Sequence, residues 1–575
     1  MATGGRSSSR RRRGRPTEEA PAPEGFPLER ELIIIARPET GLRATPEGVA
    51  SIEDVDVAPL AELLAPEDVT LVPLFGVSEE RLKREATSLA PTTEVEVPDL
   101  SIYYRVRAPD EQLDELAEHL LEQETVEAAY VKPAAELPEE TEESVEVLNA
   151  MLPLAEEAPS ATPDFTARQD YLDAAPEGID ARYAWTLPGG RGTGVRIIDI
   201  EGAWNFSHED HSQNQGGVVG TQSTDSGWRN HGTAVVGEFG GDRNTFGITG
   251  ICPDAHVRGF SIFDGDGSSG TIRRAANALR AGDIILIELH RAGPRATGVG
   301  QQGYIAIEWW PDDYAVIRYA VSRGVIVVEA AGNGAQDLDD AIYDARPAGF
   351  PTSWSNPFNT ANPSSGAVIV GAGAPPPGTH GSDHGPDRSR LGFSNYGARV
   401  DAQGWGREVT TTGYGDLQGG SNENLWYTDT FSGTSSASPI VVGALGCVQG
   451  VLRAQGGTLL TPAHAINLLR TTGSPQQDAP GRPRTQRIGN RPNLSQLIPA
   501  VTNAWQYNKR VIRTHAKHNS QMAWAVIDGS SWLRVRPHSP DGVTNVFEIL
   551  CEALANNRRV DVYIQDGQIT QANLR

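Results

Sequence analysis

At 575 residues the chain is too long for a single hydrophobic core, and about four domains is the expectation from length. Its formal charge of −25, from 49 Lys and Arg against 74 Asp and Glu, argues against general binding to nucleic acid or to an anionic membrane. The three cysteines, Cys252, Cys447 and Cys551, lie far apart and exclude a disulfide framework or a cysteine-based zinc site. No run of about 18 apolar residues reads as a membrane span.

Residues 1–28 are rich in Arg, Ser, Pro and Glu and read as a disordered basic tail. No apolar segment follows the arginines, so neither a Sec nor a twin-arginine signal is read there, and a cytoplasmic location is expected, with secretion by a non-standard route as the alternative. Residues 30–133 carry strand-length apolar runs at Glu31 to Arg37, Thr70 to Leu74, Ser101 to Val106 and Val126 to Val131. An amphipathic helix is predicted between the last two, with Leu113, Leu116, Ala117, Leu120 and Leu121 on one face. This is a small α+β domain. Residues 134–164, rich in Pro, Ala and Glu, read as an exposed acidic linker open to proteolysis.

From 165 to 500, apolar strands alternate with helical segments, the pattern of a parallel α/β sheet. The strands expected are Gly194 to Asp199, Val257 to Ile262, Ile284 to Ile287, Val325 to Glu329 and Ala367 to Gly371. Residues 505–575 read as a second small α+β domain. It has a hairpin around Asp528-Gly529, a helix at Val543 to Ala555 and a strand at Val560 to Ile564.

Four features carry chemistry. Asp199 ends an apolar strand, where open α/β sheets build their sites. His231 is read just before a small-residue helix, placed to act as a general base. Asn333 follows the strand Val325 to Val328 and offers an amide donor to a developing oxyanion. Ser435 lies in Gly433-Thr434-Ser435-Ser436-Ala437-Ser438-Pro439, a small-residue turn into a buried helix whose first turn is expected at Pro439. Each feature alone also suits a cap, a turn or an ordinary helix start.

Taken in order, Ile198-Asp199-Ile200-Glu201-Gly202, His231-Gly232-Thr233, Ala330-Ala331-Gly332-Asn333 and Gly433-Thr434-Ser435-Ser436-Ala437-Ser438-Pro439 resemble the subtilisin-like serine proteases from about residue 190 to 500. The resemblance implies a subtilisin-like parallel sheet flanked by helices, with small α+β domains at both ends. It further implies a serine endopeptidase in which Ser435 attacks, His231 moves the proton, Asp199 orients the imidazole, and Asn333 helps to hold the oxyanion.

By the same resemblance, one substrate edge runs through Gly267 and Ser268 and the other through Glu288-Leu289-His290, with a specificity pocket near Gly332 and Gly349. The family's Ser-Leu-Gly is here Glu288-Leu289-His290, with Arg291 next, so the altered wall is expected to narrow the cleft or to select a charged residue. The partners implied are a peptide or protein substrate and the chain's own N-terminal domain as inhibitor, whose tail would lie in the cleft. No nucleic acid and no membrane are expected as partners. No cofactor is required and no metal ligand is assigned. The resemblance leaves calcium open, but no calcium loop is matched. An idle peptide-binding scaffold and a peptide cyclase or acyl transferase are the alternatives weighed.

Overall fold

The computed structural model describes residues 29–138 and 158–575, apart from positions 47, 94, 503, 519–521, 529, 531, 538, 566 and 567. The basic tail and most of the acidic linker therefore lie outside the described residues.

The N-terminal unit is a four-stranded antiparallel sheet of β1 (Glu31–Ala36), β2 (Thr70–Pro73), β3 (Tyr103–Arg107) and β4 (Val126–Lys132), ordered β2-β3-β1-β4. Helices α1 (Glu79–Leu89) and α2 (Leu113–Leu121) accompany it. The strand alternation divides its apolar residues. Leu32, Ile34 and Tyr104 join Leu113 and Leu120 in a core of the unit's own. Ile33, Ile35, Ala128 and Tyr130 point the other way, into the core of the next domain. A period of two thus makes one sheet serve two cores.

The central domain holds seven parallel strands. They are β5 (Arg196–Glu201), β6 (Gln215–Val219), β7 (His256–Ser261), β8 (Ile284–Ile287), β9 (Ile326–Ala330), β10 (Val368–Gly373) and β11 (Ala402–Trp405), in the order β11-β10-β9-β8-β5-β7-β6. Four helices matter for the site: α3 (Ser226–Gly240), α4 (Gly267–Ala278), α5 (Pro311–Ser322) and α6 (Thr434–Ala454). Both sheet faces are covered, which is why these strands read as continuous apolar runs. Helix α6 is long and apolar enough to cross a membrane, but it is wholly buried inside the domain.

Strand β5 sets the geometry that follows. Ile198 and Ile200 face the side on which the N-terminal unit packs. Ile197 faces the opposite side, with Ala234 and Val235 of α3, and period-two alternation puts Asp199 and Glu201 on that side too. The predicted strand ended at Asp199; the strand found runs two residues further, to Glu201.

The C-terminal unit is a closed five-stranded barrel with helix α7 (Pro540–Ala555). Its strands are β12 (Ala504–Lys517), β13 (Met522–Ile527), β14 (Leu533–Val535), β15 (Arg559–Gln565) and β16 (Gln568–Leu574), ordered β12-β13-β14-β16-β15. The long first strand and the last were not legible as strands, because both mix charged and polar residues with short apolar stretches.

Candidate active site

Helix α6 delivers the serine. It begins at Thr434, so Ser435 sits in its first turn, and Pro439, expected in that turn, lies further inside the helix. The proline has no N–H for the Ser435 carbonyl; one residue earlier, Ser438 Oγ donates to the Thr434 carbonyl at 2.8 Å. Of the two adjacent hydroxyls, Ser436 Oγ points away, toward the Trp405 carbonyl at 2.9 Å. Ser435 Oγ points toward the Pro138 carbonyl at 3.3 Å.

Helix α3 delivers the histidine. The sequence placed His231 just before this helix; it lies well inside it, since Asp225 caps the helix through Gly227 N and Trp228 N. Gly232 follows because the Ala203 carbonyl approaches to 2.3 Å of where a Cβ would stand. His231 Nδ1 is 2.9 Å from Glu201 Oε2.

That contact corrects the expectation for Asp199. Two residues separate Asp199 from Glu201 on one face of β5, and it is the later carboxylate, at the strand's end, that meets the imidazole. Asp199 Oδ2 accepts instead from the Trp204 indole at 2.7 Å. Burial first, then the Glu201 charge, pushes the Asp199 carboxyl well above the usual carboxylate range, and the indole donor opposes the shift only in part.

Asn333 follows β9 as expected. Its Oδ1 accepts from Thr434 N and Thr434 Oγ1, both at 2.9 Å, which fixes the direction of the amide. Its Nδ2 donates to the Pro138 carbonyl. The serine hydroxyl and the fixed amide thus converge on one carbonyl oxygen of the chain itself.

The residues before Pro138 leave β4 and run along the cleft, so residues 134–138 are not the exposed linker that composition suggested. Glu136 and His290 exchange both backbone hydrogen bonds, each 3.0 Å. Gln301 Nε2 donates to the Leu137 carbonyl at 2.6 Å, and Leu137 and Pro138 are buried. With the tail in place, Ser435 and Glu201 have no exposed surface.

Other expectations about the cleft change. His290 supplies a pairing edge, but Glu288 and Leu289 beside it are fully buried. Glu288 Oε1 hydrogen-bonds to Ser438 Oγ, and burial first, then the Glu201 charge, holds its carboxyl well above the usual range. Arg291 is buried against Asp313 and Ser268. Glu288 thus lies in the interior at Ser438 and Ser435, and Arg291 also donates to the Pro133 carbonyl, so neither forms a solvent-facing wall.

Gly267 and Ser268 open helix α4 rather than a strand edge. Gly267 has a φ of 62° and lies against the Glu31 carboxylate and Arg105 of the N-terminal unit. Gly349 also meets that unit: its carbonyl accepts from Ala129 N at 3.0 Å, and a Cβ there would stand 2.2 Å from the Ala129 carbonyl. Gly332, with a φ of 93°, does lie near the site, beside His290 Nδ1 and Asn395.

The aromatic–acidic stretch before α5 is an internal packing cluster, with Trp309 and Trp310 buried at 5.3 Å centroid distance. The two aspartates in the first turn of α5, Asp312 and Asp313, meet the N-terminal unit. Lys132 Nζ, fully buried, pairs with Asp312 and lies 3.3 Å from Asp313 and from Glu31. Tyr130 donates to Asp312 at 2.8 Å.

In the loop around residues 380–387, His384 Nε2 contacts Glu408 at 2.8 Å and His380 meets backbone carbonyls. Among the described residues no group of three or more His, Cys, Asp or Glu side chains is arranged to hold a metal.

Residues 119–491 match the sequence pattern of Peptidase_S8, the Subtilase family. Alkaline protease 1 of Emericella nidulans is 26% identical over 291 residues, covering 48% of this chain and 59% of that protein. Thermitase of Thermoactinomyces vulgaris is 28% identical over 307 residues, covering 51% and 85%. Several Bacillus subtilisins are 25% identical over 283 residues, and the chain covers 61% of their length. Among solved structures, the epidermin leader peptide processing serine protease of Staphylococcus aureus aligns with 82% of this chain and 98% of its own at 16% identity and a TM-score of 0.46.

Proposed function

The chain belongs to the subtilase family, and from that premise we propose that it is a serine endopeptidase with Ser435 as nucleophile, His231 as general base and acid, and Glu201 as the acid that orients the imidazole. The observation that carries this reading is the seating of the Pro138 carbonyl between the two groups: its oxygen accepts from Asn333 Nδ2 and lies 3.3 Å from Ser435 Oγ.

Glu201 on Nδ1 keeps the ring proton there and leaves Nε2 to take the Ser435 proton. As Oγ adds to the carbonyl carbon, negative charge collects on the oxygen that Asn333 already faces. The imidazolium forms beside the Glu201 carboxylate. Breakage of the C–N bond returns the proton to the leaving amine, and water repeats the sequence on the ester. Loss of one oxyanion donor typically costs about 3–4 kcal/mol of transition-state stabilisation, which is the scale expected for Asn333.

The N-terminal domain is the inhibitor in this reading. It places its own tail where a substrate would bind and closes Ser435 from solvent. The test is labelling with a fluorophosphonate probe after the tail has been cleaved. Wild type labels at Ser435 and Ser435→Ala does not. A wild-type chain that stays unlabelled after an added protease has removed its N-terminal domain, under conditions where other subtilases react, overturns the catalytic reading and leaves a peptide-binding scaffold. Mass spectrometry of peptide products separates hydrolysis from cyclisation.

A further inference from the structure

The tail in the cleft is fixed in register by its backbone, so its side chains report what the cleft accepts. Glu136 exchanges two backbone hydrogen bonds with His290 at 3.0 Å, and two residues later the Pro138 carbonyl meets Asn333 and Ser435. Glu136 therefore stands third before the bond on the carboxyl side of Pro138. Its Oε1 accepts from the Tyr304 hydroxyl at 2.8 Å.

Tyr304 is well placed to read that position. It lies on the strand Tyr304–Ala306, paired with His290–Ala292, the same segment that holds the tail. Its ring packs against the His290 ring at 4.8 Å centroid distance, and its own carbonyl accepts from Asn395 Nδ2 at 2.8 Å. Burial first, then the Glu136 carboxylate, keeps the phenol protonated and hence a donor. His290, pushed down to about 3 by burial, stays neutral and offers no competing cation.

At the last position, proline brings a φ held near −65° and no N–H, so the chain bends toward Asn333 without burying an unpaired donor. Leu137 between them is buried in the cluster that contains Leu289 and Ile305.

We propose, resting on the serine endopeptidase reading above, that this cleft selects peptides of the form Glu-Leu-Pro and cuts after the proline, with Tyr304 as the residue that recognises the acid. The chain's first such substrate is its own tail. Ser435 Oγ bonds to the Pro138 carbonyl carbon and the C–N bond to the following residue breaks. His231 passes the hydroxyl proton to the leaving amine, and water then frees the Pro138 carboxylate and restores Ser435.

The experiment is a time course of self-cleavage in the full chain after cell-free synthesis, read by intact mass and accompanied by fluorophosphonate labelling. Wild type releases a fragment ending at Pro138; Ser435→Ala does not. Glu136→Gln and Tyr304→Phe each slow the release about five-fold, the factor that corresponds to roughly 1 kcal/mol for a partly exposed hydrogen bond to a charge. The double variant is no slower than either single one, because both remove the same contact.

Effects of the two variants that multiply, no effect of either, or cleavage at another bond by a chain that labels overturns the proposal alone. An uncut chain that labels once an added protease has removed its N-terminal domain does the same. A chain neither cut nor labelled, even after that removal, overturns the catalytic reading, and the proposal with it. As a second measurement, the processed chain prefers a peptide with Ala-Glu-Leu-Pro over Ala-Gln-Leu-Pro and over Ala-Glu-Leu-Ala, and Tyr304→Phe erases the first preference.

Discussion

The N-terminal sheet and the C-terminal barrel are both small β units carrying helices, yet they meet the central domain in opposite ways. The barrel keeps its apolar cluster to itself, drawn entirely from residues 511–574. The N-terminal sheet gives one face to its own core and the other to the central one. Across that joint it also buries charge: Lys132 lies between Asp312, Asp313 and Glu31, and Arg291 between Asp313 and Ser268.

Buried ion pairs contribute little net stability, because desolvation offsets most of the Coulomb attraction, but removing one partner is costly. Such an interface therefore docks in one register while intact. It also separates more readily than an apolar one of equal area, since each charge regains water on release. That suits the proposed role of a domain that holds its own tail in the cleft and is then released. The barrel's separate core suits an appended unit that does not.

The largest expected effect separates chemistry from docking. Glu201→Gln should lower kcat by about 10⁴-fold, the scale of losing the imidazole's orienting acid, while the N-terminal domain stays docked. Asp199→Asn should retain most activity, because Asp199 faces the Trp204 indole while Glu201 meets the imidazole. Rates of tail cleavage by both variants, beside protection of the N-terminal domain from added protease, check this. Equal losses in the two variants would return the orienting role to Asp199.

Next, Lys132→Met in a Ser435→Ala chain should destabilise the docked N-terminal domain by about 3–5 kcal/mol, leaving Asp312 and Asp313 short of a buried cation. Denaturant unfolding followed by hydrogen exchange in β4 and α5 measures it. A comparable but local loss is expected in the barrel: Leu550→Ala, fully buried, should cost about 2–5 kcal/mol in the barrel's transition alone. Should the N-terminal and central domains lose stability with it, the barrel is not the independent unit its core describes.

The smallest effect is one of pH. The folded-state value of Asp199 is raised, so the stability owed to its neutral form is complete below the unfolded value of about 4 and is lost as pH rises through the folded one. Relative to Asp199→Asn, wild type should lose up to about 1.4 kcal/mol per pH unit across that window. Unfolding free energies of the two proteins between pH 4 and neutrality, in a Ser435→Ala background, test the sign. A difference flat in pH would mean that Asp199 is ionised in the fold.

Local pattern was enough to find most elements of the N-terminal domain and the core strands, because covered parallel strands and amphipathic helices have distinct apolar spacing. The same pattern misplaced element ends. An apolar run stops being informative when polar residues are themselves buried, as Asp199 and Glu201 are at the end of β5, and as Ser435 to Ser438 are at the start of α6.

The sequence by itself determined the order and chemical type of the candidate residues Ser435, His231 and Asn333, since each sits in a short motif with small neighbours. Tertiary structure alone decided which carboxylate meets the imidazole and what fills the cleft. Asp199 and Glu201 share a face of one strand, and only the position of α3 across that face chooses between them. The tail's place depends on Lys132, Arg291 and Tyr304, side chains brought to it from more than 150 positions away or anchored in another domain, and no local spacing encodes such a distance.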